Sequence, residues 1–367
     1  MDLLRPQPPD TEQGETGARP AWIVRPAVQV ALGLLFSVLC LFLALRGVRL
    51  GELVSVLGRA RPLPLLAAVG VEILTFVAIA ARWQRLFTPH PAPSLGRLFE
   101  ILNIAQLANA VLPGKMGPLV RAYLATQGTA GGMAFALTTI VGEKVVEGMS
   151  LLLIALAILP CLQATALSGQ LPWTAWLSAV LLVLILGVMT WLAYRQQAVI
   201  CRLERWLRRW PRVLGLTRSA LSALDVWRRG KVVLALWAWS IAIWAITVLL
   251  NQLILWSLDI RVPAVAPAVI LVVSQVGVRL PSSPGSVGVL HYLSVLALSL
   301  FGVDKSTALG YGVILHLVIY LPASLLGLLF LAKSGYSLKR LRQASEASRR
   351  VPAEWAELTA GEKRLPG

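Results

Sequence analysis

The chain is poor in acid, in cysteine and histidine, and in long connections. In 367 residues there are 17 Asp and Glu against 34 Lys and Arg, a formal net charge of +17. Charged residues of both signs make up only 14% and hydrophobic ones 57%, which is outside the balance of a soluble globular domain. The three cysteines, Cys40, Cys161 and Cys201, fall in an apolar run, a non-basic connection and a basic connection. No two share an oxidising compartment, so no disulfide framework follows. Neither His291 nor His316 stands in an HExxH or Cys/His spacing, and no metal site is expected. G-x-S-x-G, Walker A and G-x-G-x-x-G are missing, as is a paired-aspartate motif in a connection. The connections are too short and too basic to house a catalytic domain. The expectation is a protein without catalytic residues and without a cofactor.

What is present is apolar sequence. Runs at about 27–45, 63–81, 174–194, 232–258 and 306–332 are each long enough to cross a hydrocarbon core, which takes about 20 helical residues. A sixth run, 133–160, is long enough too but carries Glu143, Lys144 and Glu147. The fold expected is all-α: a polytopic integral membrane protein with about six full spans and two broken or re-entrant helix pairs. The basic residues sit in loops beside the spans, so the positive charge reads as the positive-inside bias and not as a nucleic-acid surface. Residues 195–231 hold ten Lys and Arg against Glu204 and Asp225, which places that loop in the cytoplasm. The tail 333–367, with Lys339, Arg340, Arg342, Arg349 and Arg350, belongs on the same side, against anionic headgroups. Residues 1–25 are polar and rich in Pro and Gly, and read as a disordered cytoplasmic tail rather than a cleavable signal. Between the tails, 26–332 forms one transmembrane domain in a cell (inner) membrane, with both termini cytoplasmic.

The segment 95–113 is interrupted by Glu100, Asn103, Gln106 and Asn109 before it stops at Pro113. Polar residues at i+3 steps line one side of a helix, a face suited to water or protein and not to lipid. Pro113-Gly114-x-x-Gly117 follows, and is echoed 171 residues later by Pro284-Gly285-x-x-Gly288. Both copies follow a Leu-Pro stop, interrupt a hydrophobic segment and precede a long span. Counting spans from the cytoplasmic arginine loop makes the pair 95–112/114–130 start and end inside and the pair 264–280/285–301 start and end outside. The elements 95–160 and 263–332 are therefore expected as inverted repeats, whose interrupted helices mark a transporter-like site near the midplane.

A Pro-Gly break frees backbone groups that lipid cannot satisfy, and the half-helix after it turns its positive end towards the break, which suits an anion such as phosphate. Lys115, Arg121, Arg279, Ser282 and Ser283 lie near the two breaks and offer donors. The competing reading is a pair of interface kinks with snorkelling basic residues. Glu143 and Glu147 are i, i+4 neighbours within a span, where each acid facing lipid costs roughly 2.5–3.5 kcal/mol, so both must face a partner. That partner is either structural, an ion pair with Arg121, Arg279 or Lys144, or functional, a proton, a coupling cation or a cationic headgroup. His291 and His316 read as hydrogen-bonded packing residues or as members of a proton relay.

The stretches LPGKMGPLVRAYL with ALTTIVGEKVVEG, and LPSSPGSVGVLHYL with GYGVILHLVIYLPASLLG, resemble the flippase-like transmembrane family of the lysylphosphatidylglycerol synthases over roughly residues 25–332. The resemblance implies equivalent roles for Pro113, Gly114, Gly117, Arg121, Glu143, Lys144 and Glu147. This chain departs from that pattern at His291, where an acid is common, and at His316, where an arginine is frequent. It ends about 35 residues after its last span, so the resemblance implies the lipid-translocating part without the synthase. The function expected is binding and translocation of a phosphate-headed lipid, phospho- or polyprenyl-phosphate, with anionic membrane lipids as partners. Two alternatives stand beside it: a subunit of a lipid aminoacylation or glycosylation system, and a scaffold that gathers envelope-synthesis enzymes through its arginine loop.

Overall fold

The computed structural model describes residues 26–87, 91–112, 115–127, 132–166, 230–279 and 282–334, with the single residues Val180 and Leu184. Pro113 and Gly114, the terminal tails 1–25 and 335–367, the expected span 174–194 apart from those two residues, and the arginine loop as far as 229 lie outside the described residues. The described chain is helical, with no strand among the described residues. In order it forms α1 (Pro26–Leu45), α2 (Leu50–Gly58), α3 (Pro62–Arg85), α4 (Leu95–Val111), α5 (Gly117–Thr126), α6 (Gly132–Ala166), α7 (Gly230–Ser257), α8 (Ala266–Val278), a 3-10 turn (Pro284–Ser286), α9 (Val289–Ser299) and α10 (Lys305–Ser334).

Several starts follow from local chemistry. Proline stands in the first turn of α3, α5 and α8, where its missing N–H costs no bond and its fixed φ fits a helix. Ser94 caps α4 by accepting from the Arg97 N–H at 3.3 Å, and Asp304 caps α10 by accepting from the Thr307 N–H at 2.9 Å.

Among the described residues three helices, α3, α7 and α10, are long and apolar enough to cross a membrane, and α1 with α2 makes a fourth if that pair, bent by 87°, counts as one span. The protein is thus membrane-embedded, but the described residues do not give six full spans. The expected span 174–194 lies outside the described residues apart from Val180 and Leu184, and two further differences stand out. The expected connection 46–62 contains α2, tied down where Glu52 accepts from Arg49 at 3.0 Å and from Ser306 of α10 at 2.9 Å. The run 133–160 becomes a 35-residue helix, α6, that keeps its three charges and continues past Pro160 through Cys161, which the sequence reading assigned to a non-basic connection. Proline persists inside membrane helices because neighbours re-satisfy the freed carbonyl, as at Pro322 within α10.

Two apolar cores share the long helices. One joins Phe76, Ala80 and Trp83 of α3, Leu236 of α7 and Ala323 and Leu331 of α10 to α4, α5 and α6. The other joins Ala68 of α3, Leu250 and Ile254 of α7 and Ala308 to Val318 of α10 to α8 and α9. Their order along each helix makes α3 and α10 parallel and α7 antiparallel to both. The broken pair α4/α5 therefore packs near one end of this three-helix frame and the pair α8/α9 near the other.

At about 1.5 Å per residue, α4, with 17 residues, reaches about 26 Å, and α8, α5 and α9, with 13, 10 and 11, reach about 15–20 Å, all short of a core of roughly 30 Å. The half-helices begin later than the motifs alone imply: α5 starts at Gly117, and α9 at Val289 after the 3-10 turn. The third residue of each motif, Lys115 and Ser286, is left-handed, with φ of 50° and 54°. Two L-residues in that sparsely populated region at matching positions mark the same chain reversal made twice.

The two closing glycines are closely approached, the second by backbone. A Cβ on Gly117 would overlap the Asn109 carboxamide, and one on Gly288, at φ 84°, would overlap the carbonyl of Ser37 on α1. The first clash is relieved if Asn109 moves and gives up its bond to the Gly117 N–H, whereas only glycine allows the second.

Candidate functional site

The glutamates of α6 do face partners. Glu143, 1% exposed, is bonded by two guanidiniums: Arg82 donates to Oε1 at 3.1 Å and Arg121 to Oε2. Glu147, one turn on, receives Arg279 at 2.9 Å and Lys144 at 2.7 Å, with Arg82 Nη2 3.7 Å away. One α6 face thus binds α3, α5 and the end of α8 through charge. The cluster holds four cations, Arg82, Arg121, Arg279 and Lys144, against two carboxylates. Surrounding contacts fix it further. Arg82 donates to the Ser240 hydroxyl of α7 at 3.2 Å, Arg121 lies 3.7 Å over the Trp83 ring, and the Trp83 indole donates to Thr139 at 3.0 Å.

Removing such charges from water costs several kcal/mol per ion, repaid only by good geometry and further hydrogen bonds. Repayment here is incomplete, because the Nε groups of both Arg82 and Arg121 are buried without a hydrogen-bond partner. The two residues stand on the wall of a cavity of about 240 Å³. Its polar lining is completed by Gln106 and Asn109 of α4, Thr75 of α3, Lys144 of α6, Thr247 of α7 and Gln275 of α8. Gly117, also on the wall, donates its N–H to Asn109 Oδ1 at 2.7 Å, so the first break is stitched to α4 at the cavity edge.

Of the residues singled out in the sequence, Gln106, Asn109, Gly117, Arg121, Glu143, Lys144 and Glu147 meet at this cavity, and Arg279 joins through Glu147. The others go elsewhere. Asn103 donates to the Phe99 carbonyl within α4, and Lys115 donates to the carbonyl of Val278, tying the first break to the end of α8. Ser282 is hydrogen-bonded to Ser286 at 3.3 Å, while the Ser283 N–H donates to Ser37 at 2.7 Å and its hydroxyl to Val287. The rings of His291 and His316 lie side by side, centroids 5.1 Å apart and tilted by 31°, beside the second break. Arg82 was missed: it follows the apolar run 63–81 directly, and a charge after an apolar run marks a span end. The helix instead runs on to Arg85, and the run of small residues Ala78, Ala80 and Ala81, all buried, is the signal that this face packs against another helix.

No curated protein matches the chain. A family model, described as the lysylphosphatidylglycerol synthase TM region, matches residues 30–327, which takes in both breaks and every charged residue of the cavity. The chain therefore belongs to the family of the lysylphosphatidylglycerol synthase transmembrane region, and its role is tied to membrane lipid.

Proposed function

We propose that this protein binds a lipid with a phosphate-bearing head in the α3–α8 cavity and carries it across the membrane, without chemical change to the lipid. The observation that carries the reading is the pair of buried arginines, Arg82 and Arg121, that share one carboxylate, keep unpartnered Nε groups and line the cavity. A phosphate offers the acceptor oxygens these donors lack, in the planar geometry guanidinium favours. The excess of cations over carboxylates leaves charge for an anion to neutralise. The cavity is large enough for a headgroup and too small for a whole lipid, so the acyl or prenyl chain would lie outside it in the bilayer. Glu143 and Glu147 hold the arginines in place between ligands and serve as their counter-charges when the cavity is empty.

Two short helix pairs at opposite ends of one frame support an alternating mechanism, in which the cavity opens first to one leaflet and then to the other. In this reading the repeats are inverted, the arginine loop and both termini are cytoplasmic, and the membrane is the cell membrane. Partners are anionic lipids first; an envelope-synthesis enzyme docked on the arginine loop is compatible with the same role.

The test is reconstitution into liposomes that carry fluorescent lipids with and without a phosphate head. Phosphate-headed lipids should translocate faster than in empty vesicles, and Arg121→Gln and the double variant Glu143→Gln/Glu147→Gln should abolish the gain. Variants that move lipid at the parent rate would overturn these roles. Appearance of a chemically modified lipid, detected by mass spectrometry after expression, would replace transport with catalysis.

A further inference from the structure

The short helix α2 and its arginines take no part in the cavity. Helix α1, with 20 residues, is about 30 Å long, enough to cross a hydrocarbon core by itself. Helix α2 then turns 87° away from it, which lays α2 along the membrane surface between the ends of α1 and α3. Two observations fix that level. The Arg61 N–H, just after α2, donates to the Ser257 carbonyl at the end of α7 at 2.7 Å, and Trp256 beside it is half-exposed, as an aromatic at the headgroup boundary is.

The residues of α2 sort by side. Leu53 and Val56 lie over Gly310 of α10, where an added Cβ would overlap Val56, and Glu52 accepts from Ser306 of the same helix. Leu50 and Val54, one turn apart on another side, are 67% and 68% exposed. The helix is about 14 Å long and is flanked by Arg46 and Arg49 at one end and by Arg59 and Arg61 at the other, all exposed. Only half of that charge is answered. Arg49 pairs with Glu52 at 3.0 Å and Arg61 with Asp259 at 3.7 Å, exposed pairs that contribute little. Among the described residues no acid pairs with Arg46 or Arg59. Asp304, the one other described acid at this end, accepts from the Thr307 N–H, and Lys305 brings a further cation by donating to the Leu43 and Arg46 carbonyls.

We propose that α2 is an interfacial helix that gathers anionic phospholipids in the leaflet at the α8/α9 end of the frame, with Leu50 and Val54 set among acyl chains and Arg46 and Arg59 on headgroup phosphates. A guanidinium at a membrane surface keeps its stem along the apolar side and its fork in the headgroup layer, where phosphate oxygens are the acceptors at hand. Helices of this kind bind through buried apolar area together with attraction to anionic lipid. A soluble anion would answer the arginines and leave Leu50 and Val54 against water, so lipid is the occupant that satisfies both. The surface accounts for basic residues at the end of the frame opposite the arginine loop, which the positive-inside bias does not. It is separate from the arginine-lined cavity and stands whether or not that cavity carries lipid.

The test reads the lipid composition beside α2. The full chain, with Cys40, Cys161 and Cys201 replaced by serine and Val54→Cys carrying a fluorophore, is placed in phosphatidylcholine nanodiscs that hold a small fraction of spin-labelled phosphatidylglycerol or of equally labelled phosphatidylcholine. The anionic probe should quench the dye at a mole fraction about fivefold lower than the neutral one, the worth of one surface arginine, and the difference should shrink at high salt. The double variant Arg46→Gln/Arg59→Gln should bring the two probes together. The salt series asks the same of the native arginines, so the answer does not hang on how the variant folds. Equal quenching by both probes, a preference that survives the variant or high salt, or a dye that neither probe quenches would overturn the proposal. Release of the anionic probe by inorganic phosphate, at an ionic strength where chloride leaves it bound, would overturn it too, in favour of a soluble-anion site.

Discussion

Glu143 holds two guanidiniums out of water in a bundle otherwise lined with leucine, isoleucine and alanine. Removing one partner of a buried pair costs more than the pair contributes, since the charge left behind has nowhere to go. Glu143→Gln should therefore lower stability by about 3–5 kcal/mol, read as a drop in thermal unfolding midpoint in detergent, and a phosphate-headed lipid should recover part of that loss. Arg121→Lys should fare poorly as well, because an ammonium cannot both reach Glu143 and lie flat over Trp83. A milder effect belongs to Asp304, outside the spans. Burial pushes its carboxyl up, but hydrogen bonds from Thr307 and neighbouring backbone outweigh that and leave it below its ordinary value. A depressed carboxyl stabilises above its unfolded value of about 3.9 and loses that contribution as pH falls through the folded value. Asp304→Ala should cost about 1 kcal/mol at neutral pH as a lost cap, and the gap to the parent should close below about pH 3.9. The acids of α6 were legible in the sequence because charge inside an apolar run demands a partner. Arg82 was not, because the same charge at the end of a run has an ordinary explanation.

At the level of elements, the two breaks are held by different chemistry despite their common motif. The first relies on a side chain: Asn109 accepts the Gly117 N–H. Asn109→Ala should cost about 1 kcal/mol, as other capping losses do, and should speed hydrogen exchange at the Gly117 amide. The second adds backbone fit, with Gly288 against the carbonyl of Ser37 of α1, to the bond from the Ser283 N–H to the Ser37 hydroxyl. Gly288→Ala meets both a left-handed φ and a carbonyl, and should destabilise by more than about 1 kcal/mol, seen as a lower unfolding midpoint with α1 released from α9. Sequence spacing located both breaks but not their supports, since Asn109 precedes Gly117 by eight residues while Ser37 lies 251 residues before Gly288. The extra helix α2 was hidden for a related reason. The flanking Arg49 and Arg59, with Glu52, resemble a loop until Ser306 arrives from α10 to meet the acid.

For the whole molecule, the long apolar helices were readable from composition, and their directions relative to one another agree with the count of basic loops. The packing of two short pairs on opposite ends of one frame was readable only through that count, and needed the two cores to give it form. Single cysteines placed at Arg97 and at Asp304, in a background without Cys40, Cys161 and Cys201, test the arrangement. An impermeant maleimide should label the first only from the cytoplasmic side and the second only from the opposite side. The charge count of the cavity has an electrical consequence. Empty, the ion-pair cluster on its wall, with Arg279 counted, carries two formal positive charges more than its carboxylates offset. Loaded with a phosphate dianion, it is neutral. Moving charge through the bilayer takes about 2.3 kcal/mol per elementary charge per 100 mV, so the membrane voltage acts on the unloaded return and leaves the loaded step almost untouched. In the proposed transport, a resting potential that is negative inside would draw the empty site back toward the cytoplasmic leaflet, giving the cycle a direction.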